Sequence, residues 1–256
     1  MESSICCVPV SPIRATASHR SEMVSQLLFG ESVAVLEREG DQWIKIRCLF
    51  DGYEGWCQQS HVAAVDNHVH ATGLNQMTVN WSTKIDFNGQ PMRLPMGCLL
   101  PGLEKGQVYW GSHNIKYKGK TWNLSKARMD KGMFRQLSFK FLNSPYLWGG
   151  KTVFGTDCSG YMQTIFRYFN IPLQRDAWQQ AEGGMEVSSL LKSAFGDLAF
   201  FDNADGRITH VGILLNKKEI IHASGKVRID KIDDEGIIDE EGQRTHSLKL
   251  IRRYLS

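Results

Sequence analysis

Cys158, in the stretch TDCSGYMQ, is the residue whose position asks for a chemical explanation. Asp157 stands where a helix N-cap belongs, so Cys158 begins the helix. A thiol in a first helical turn feels the partial positive charge of the unpaired backbone N–H groups, which favours thiolate and nucleophilicity. Small residues are also welcome at tight helix starts, so the position needs a base beside it before it means catalysis. His210 in THVGILL and His222 in EIIHAS are the candidates. As a set they suit acyl transfer: Cys158 attacks as thiolate, His210 is its proton partner and the acid for a leaving amine, and His222 holds the other ring nitrogen of His210. One cysteine with two histidines also fits zinc, but no CxxC-type ligand pair accompanies them. The HVH at 68–70 has no acid cluster near it and reads as solvated linker.

Helices must come first in this half of the chain. MDKGMFRQLSFKFLN predicts a helix ended by Ser144 and Pro145, and CSGYMQTIFRYFN places Tyr161, Met162, Ile165, Phe166 and Phe169 on one stripe. RDAWQQAEGG and SSLLKSAFG predict two shorter helical pieces. Only strands follow: DLAFFD, THVGILL, EIIHAS, KVRID and LKLIRRYL. That order predicts an α+β domain over 128–256. His210 and His222 share a face only if the hairpin pairs residues whose numbers sum to an even value, with His222 opposite Gly212 or opposite His210. A tight turn at Lys217 and Lys218 puts them on opposite faces, so the sequence allows the site without forcing it.

The chain ahead of residue 128 has a different period. SVAVLE, WIKIRCL and GWCQ are short alternating runs separated by turn signals, which predicts a small antiparallel barrel over 1–66. Residues 66–75 read as a linker. MTVNW, MRLPMGCLL, QVYW and IKYKGKTWNL then predict a second β-rich domain over 67–127, of the same barrel kind. At 256 residues, with 42% hydrophobic and 22% charged, the chain supports real cores, and its apolar runs break well before the ~18 residues of a membrane span. A net charge of +3 without a basic stripe argues against a nucleic-acid partner. The start, MESSICCVPVSP, has neither cationic leader nor apolar run, and six sparse cysteines read as reduced; both point to the cytoplasm. Cys48 and Cys57 flank a turn and read as buried small hydrophobes rather than a disulfide.

Three separated motifs carry a resemblance. SPYLWGGKTVFGTDCSGYMQ, GDLAFFDNADGRITHVGILL and IIHASGKVRID, in that order, resemble the NlpC-type bacterial cell-wall cysteine peptidases over residues 128–256. The resemblance implies a papain-like α+β fold, a catalytic cysteine at Cys158 and a catalytic histidine at His210. The first segment resembles the bacterial SH3-like modules that accompany these peptidases. The whole chain is similar to the subgroup of γ-D-glutamyl-L-diamino acid endopeptidases, the dipeptidyl-peptidase VI type.

That subgroup implies a murein tripeptide or tetrapeptide substrate with a free N-terminal L-alanine, cut at the γ-D-glutamyl to diamino-acid bond (meso-diaminopimelate or lysine), in peptide recycling. By position, the resemblance assigns Glu22 and Tyr53 to a wall that admits only a short free-amine peptide, and Asp176 to the acid that pairs with the amine. Tyr146 matches a tyrosine that assists the oxyanion hole with the backbone N–H of Cys158. Asp157 and Ser159 position the γ-D-glutamyl unit. No cofactor is implied, and neither nucleic acid nor membrane is a partner. Where the subgroup commonly has a hydroxyl residue after the acid, this chain has Ala177. Each assignment has a plainer counterpart: Asp157 and Asp176 as helix caps, Glu22 as a solvated charge, Tyr53 and Tyr146 as packing. Two rivals stand beside the peptidase. One is an amidase or acyltransferase on the same Cys/His scaffold, and the other is a non-catalytic wall-binding protein.

Overall fold

The computed structural model describes residues 3–65 and 76–255, so the HVH at 68–70 and the linker at 66–75 lie outside the described residues. Two compact units divide the chain, Met1–Ala127 and Arg128–Ser256.

The first unit opens with seven short strands, β1 (Ser3–Cys6), β2 (Val10–Arg14), β3 (Met23–Leu28), β4 (Ser32–Glu39), β5 (Trp43–Cys48), β6 (Glu54–Gln58) and β7 (Val62–Ala64), with period-2 burial clearest in β2, β5 and β6. They form one antiparallel sheet in the order β3-β2-β6-β5-β4-β1-β7. In β5, Ile44, Ile46 and Cys48 point inward, joining Cys6, Ile13, Leu27, Val33 and Cys57 in a core that Tyr53 packs against. All six cysteines are buried and none forms a disulfide, Cys48 and Cys57 included. The next strands are β8 (Gln76–Thr78), β9 (Ser82–Phe87), β10 (Gln90–Pro95), β11 (Gln107–Trp110), β12 (His113–Lys116) and β13 (Thr121–Asn123). They make a four-stranded sheet, β10-β9-β12-β11, and a separate ribbon, β13-β8. The two β-rich segments sit within one unit because they share apolar packing: Ile5, Leu28 and Phe29 pack with Ile85, Val108, Trp110 and Ile115.

The second unit begins with helix α1 (Lys131–Phe139), capped by Asp130, whose side chain accepts from the Met133 N–H at 2.6 Å. A small hairpin, β14 (Lys151–Thr152) and β15 (Gly155–Thr156), leads into α2 (Cys158–Arg167). The sequence predicts one apolar stripe on α2, but every residue of it is buried. A helix enclosed on all sides must be approached closely somewhere, and Gly160 is that place: a Cβ there would lie 2.2 Å from the Gly150 carbonyl oxygen. Then come α3 (Ala177–Glu182) and β16 (Met185–Val187). SSLLKSAFG, expected as helix, forms only a 3-10 turn at Leu190–Lys192.

The remaining strands are β17 (Leu198–Asp202), β18 (Ile208–Asn216), β19 (Glu219–Ser224), β20 (Lys226–Asp233), β21 (Gly236–Ile238) and β22 (Arg244–Arg253). They pair in sequence order, and β22 pairs with both β17 and β21, so the antiparallel sheet closes on itself. Phe201, Leu214, Ile220, Ile232 and Ile237 fill one face of it. The architecture is α+β, with helices first and an antiparallel barrel after.

Gly160→Ala should destabilise the second unit, since backbone rather than a flexible side chain blocks the added methyl. A loss of about 1–3 kcal/mol is expected for such overpacking, read as a lowered urea midpoint with unchanged m-value.

Candidate active site

The hairpin β18–β19 decides where the imidazoles point. Its turn is the tight one, Asn216 pairing with Glu219, which by itself sends the histidines to opposite faces. Leu215 is an extra residue in β18, and beyond this bulge Leu214 pairs with Ile220 and Gly212 with His222. The parity is thereby reversed, and His210 and His222 share the face that carries Phe201, Leu214 and Ile220. Gly212 directly opposite His222 leaves the room: a Cβ there would lie 2.8 Å from the His222 Cβ. Across this gap His210 Nε2 and His222 Nδ1 are hydrogen-bonded at 2.9 Å.

Cys158 reaches the same place from α2. Its Sγ lies 4.0 Å from the carbonyl oxygen of Thr209, the residue beside His210 and itself an extra residue in β18 where the pairing with β17 shifts. The helix start favours a thiolate, but burial outweighs it in the folded chain. Burial, reinforced by the charge of Asp157, pushes the thiol up to about 12 against opposing backbone N–H groups and Arg175. Burial, then His222 and His246, holds His210 well below its ordinary 6.5. Both shifts favour the neutral forms, thiol and imidazole, against the pull of the helix start toward thiolate.

Asp157 caps α2 by accepting from the Gly160 N–H at 2.7 Å. The same carboxylate accepts from the Gly149 N–H at 2.9 Å and from both terminal nitrogens of Arg175, at 3.2 and 2.5 Å. Its capacity is therefore taken up by the protein, which makes it a fixing point for the loop, the helix and Arg175 rather than an open substrate contact. Ser159 Oγ accepts from Arg175 at 2.9 Å and lies 3.4 Å from Asp157 Oδ1. Arg175 is 2% exposed, and breaking so buried a pair by removing one partner typically costs about 3–5 kcal/mol. Sequence reasoning missed Arg175; its adjacency to Asp176 was the available signal.

Tyr146 lies in the segment that bridges to Thr156, immediately ahead of Asp157 and Cys158. Burial raises its phenol, and the proximity of Cys158 and Asp157 adds to the rise. Asp176 is the N-cap of α3, where the Gln179 side chain accepts from its backbone N–H at 3.1 Å. Burial is the largest cause that raises its carboxyl, while neighbouring Arg175 opposes. Ala177 is buried behind it.

Glu22 and Tyr53 belong to the first unit and are described there. Glu22, exposed, precedes β3, and Tyr53, half-buried, precedes β6. Arg14 of β2 pairs with both Met23 and Trp56, so the two residues lie toward the same end of that sheet.

Three further residues were missed. Asp230 Oδ2 is 3.0 Å from His222 Nε2, and Arg228 Nε is 3.0 Å from Asp230 Oδ1. Their spacing in VRID, two apart on the strand after His222, was a usable signal. His246 of β22 stacks on His210 with ring centroids 4.2 Å apart, and no local pattern pointed to it.

The neutral resting pair has a chemical signature. Alkylation of Cys158 by iodoacetamide should be slow at neutral pH and still climbing at about pH 10, because thiolate forms only toward its raised pKa. A rate already level below about pH 7 would instead mean a preformed thiolate.

Known proteins match this arrangement. The NlpC/P60 family pattern matches residues 143–242, and the bacterial dipeptidyl-peptidase Sh3 domain pattern matches residues 13–62. A Bacillus cereus protein named gamma-D-glutamyl-L-lysine dipeptidyl-peptidase is 25% identical over 266 residues, covering 87% of this chain and 74% of that protein. A probable endopeptidase of Haemophilus influenzae is 34% identical over 112 residues, which are 43% of this chain and 67% of the relative. The crystal structure of an NlpC/P60 family protein from Bacillus cereus has the same fold, with a TM-score of 0.82 at 19% identity over 99% of this chain and 100% of that one. With the family pattern lying across the thiol and both histidines, and a relative above 30% identity matched over two thirds of its length, this chain belongs to the NlpC/P60 family of cysteine peptidases.

Proposed function

We propose that this chain hydrolyses the γ-D-glutamyl to L-diamino-acid bond of murein peptides with a free N-terminal L-alanine, releasing L-Ala-γ-D-Glu. The observation that carries the reading is the buried Cys158 thiol, 4.0 Å from the carbonyl oxygen of Thr209, whose neighbour in sequence, His210, is hydrogen-bonded to His222. His210 accepts the thiol proton as sulfur attacks the γ-carbonyl carbon. The developing oxyanion takes hydrogen bonds from the Cys158 backbone N–H and the Tyr146 hydroxyl. His210 then gives its proton to the departing amine, and water, deprotonated by the same imidazole, releases the dipeptide from the thioester. Waiting as a neutral pair suits a buried site, because charge separates only when substrate dipoles are present to receive it.

Free-amine selectivity rests on Asp176, a half-buried acid whose carboxyl burial raises. An ammonium bound there offsets the cost of its charge, whereas the amide nitrogen of a muramyl-linked stem offers none. Ser159 is the polar group beside the nucleophile that the resemblance assigns to the γ-D-glutamyl unit, and Arg175 holds its hydroxyl in place. The family resemblance assigns Glu22 and Tyr53 to recognition of the same amine. Free peptides as substrates imply recycling in the cytoplasm, and six cysteines with no disulfide among them fit a reducing compartment. An amidase or acyltransferase is the alternative that the same Cys/His chemistry permits, and it has no use for amine-pairing acids.

Cys158→Ala should abolish turnover of L-Ala-γ-D-Glu-diaminopimelate while the chain stays folded, and Cys158→Ser should be crippled. Loss of His210 should approach the same loss, whereas His222→Gln should keep part of the rate. Mass spectrometry of the digest reads both bond and product; full activity in Cys158→Ala would end the peptidase reading.

A second comparison tests the amine. The N-acetylated peptide should be a much poorer substrate for the unaltered enzyme, and Asp176→Asn should erase most of that preference, at a cost on the order of 2–5 kcal/mol in kcat/KM for the free amine. Glu22→Gln should act in the same direction but less strongly, and Ala177→Ser should tighten binding slightly. Unchanged preference in Asp176→Asn would leave only a generic peptidase of this family.

A further inference from the structure

The hydrogen-bonded chain does not stop at His222. Its far nitrogen, Nε2, lies 3.0 Å from Asp230 Oδ2, and Asp230 is buried. Arg228 Nε lies 3.0 Å from one carboxylate oxygen of Asp230 and 2.9 Å from the other. An arginine does not give up its proton in a protein, so Asp230 meets a permanent cation on one side. Asp230 is thus an anion that accepts and never donates. Burial by itself raises its carboxyl, and the hydrogen bonds from His222 and Arg228 outweigh that, holding it below its usual 3.8.

An acceptor at one end of a chain of imidazoles sets the direction of every bond in it. Asp230 requires a proton on His222 Nε2. A neutral His222 then has a bare Nδ1, which must accept from His210 Nε2. His210 in turn is left with a bare Nδ1, the one nitrogen still available to a thiol. We infer that Asp230 is a positioning residue of the active site, which acts through His222 to hold His210 in the tautomer that can accept the Cys158 proton. The inference rests on the roles proposed above for Cys158 and His210.

Proton bookkeeping is simple. The S–H bond of Cys158 breaks and an N–H bond forms at His210 Nδ1, while the protons on His210 Nε2 and His222 Nε2 remain where they are. Asp230 never becomes protonated; it stabilises the imidazolium through one intervening ring. The other groups facing His210 are the half-buried His246, stacked on it, and Phe201. Burial, then His222, pushes His246 down to about 4, with Asp230 opposing, so it stays neutral while His210 works and adds no competing charge.

Replacement by asparagine removes the directionality without removing the side chain. The Asn amide can donate to His222 Nε2, which allows a proton on His222 Nδ1 and a bare Nε2 on His210. The proton of His210 then sits on Nδ1, the nitrogen that has to be bare. Asp230→Asn should therefore lower kcat by about ten- to a hundredfold with KM little changed, less than the loss seen when a carboxylate touching a catalytic histidine directly is replaced. Asp230→Glu, which restores an anion, should recover part of the rate.

The deciding readout is the ring tautomer, by 15N NMR of the imidazoles in substrate-free protein. The unaltered protein should show protons on Nε2 of both His210 and His222, and Asp230→Asn should shift both rings toward Nδ1–H. A proton on His222 Nδ1 in the unaltered protein overturns the inference even if the variant fails to fold. So does an Asp230→Asn protein with unchanged tautomers, whatever its rate, because its effect would then be structural. The tautomers are read without substrate, so an active Cys158→Ala enzyme would defeat the peptidase reading while leaving this measurement independent of it.

Discussion

The turn at Lys217 and Lys218 is of the tight kind that sends alternate residues of a hairpin to opposite faces, and Leu215, bulged out of β18, reverses that for everything beyond it. Without this extra residue His222 faces away from His210, and neither the 2.9 Å bond between their rings nor the link onward to Asp230 can exist. The same register sets Gly212 opposite His222, where any side chain collides with it. Sheet parity is unforgiving in this way: a slip of one residue moves a whole strand's side chains across the sheet. The bulge is thus a condition for chemistry rather than an irregularity in a barrel.

A second fixing point holds the nucleophile against this face. The Asp157 carboxylate ties together the Gly149 loop, the first turn of α2 and the Arg175 guanidinium, and almost none of that cluster meets solvent. Such a buried ion pair contributes little net stability over an apolar replacement, yet losing one partner is costly. Its value lies in position: the helix start cannot shift without exposing an unpaired charge. Gly160, pressed on the Gly150 carbonyl, adds a steric limit in the same place.

Burial gives the site its electrostatic character. Cys158 and His210 are both enclosed, and enclosure disfavours the charged form of each, raising one and lowering the other. The helix N-terminus opposes this only in part. Asp230, with Arg228 beside it, is the fixed charge at the far end of the imidazole chain and is poised to stabilise an imidazolium once one forms. A neutral pair backed by a distant anion separates the resting state from the reacting state within one constellation.

Much of this was legible in the sequence. The α+β order, the cap at Asp157 and the pairing of one cysteine with two strand histidines are local or periodic features, and local features follow from backbone propensity and side-chain alternation. The DCSG, GDL and HAS motifs added what periodicity lacks, the order in which the elements assemble. Other features lie beyond any local reading. SSLLKSAFG has helical spacing but forms only a 3-10 turn, and α2, patterned for one apolar face, is buried on all of them, because packing overrides propensity. Hairpin parity was undecidable, since a bulge leaves no compositional trace at Leu215. Burial pushes the Cys158 thiol up, against the helix-start argument, because desolvation depends on how many atoms surround the sulfur. His246 reaches His210 from the last strand, and the closure of the sheet that brings it there is a long-range pairing. What the sequence determined was which groups are present and on which elements; tertiary structure alone decided which of them face one another and how much water they keep, because both depend on contacts between residues far apart in the chain.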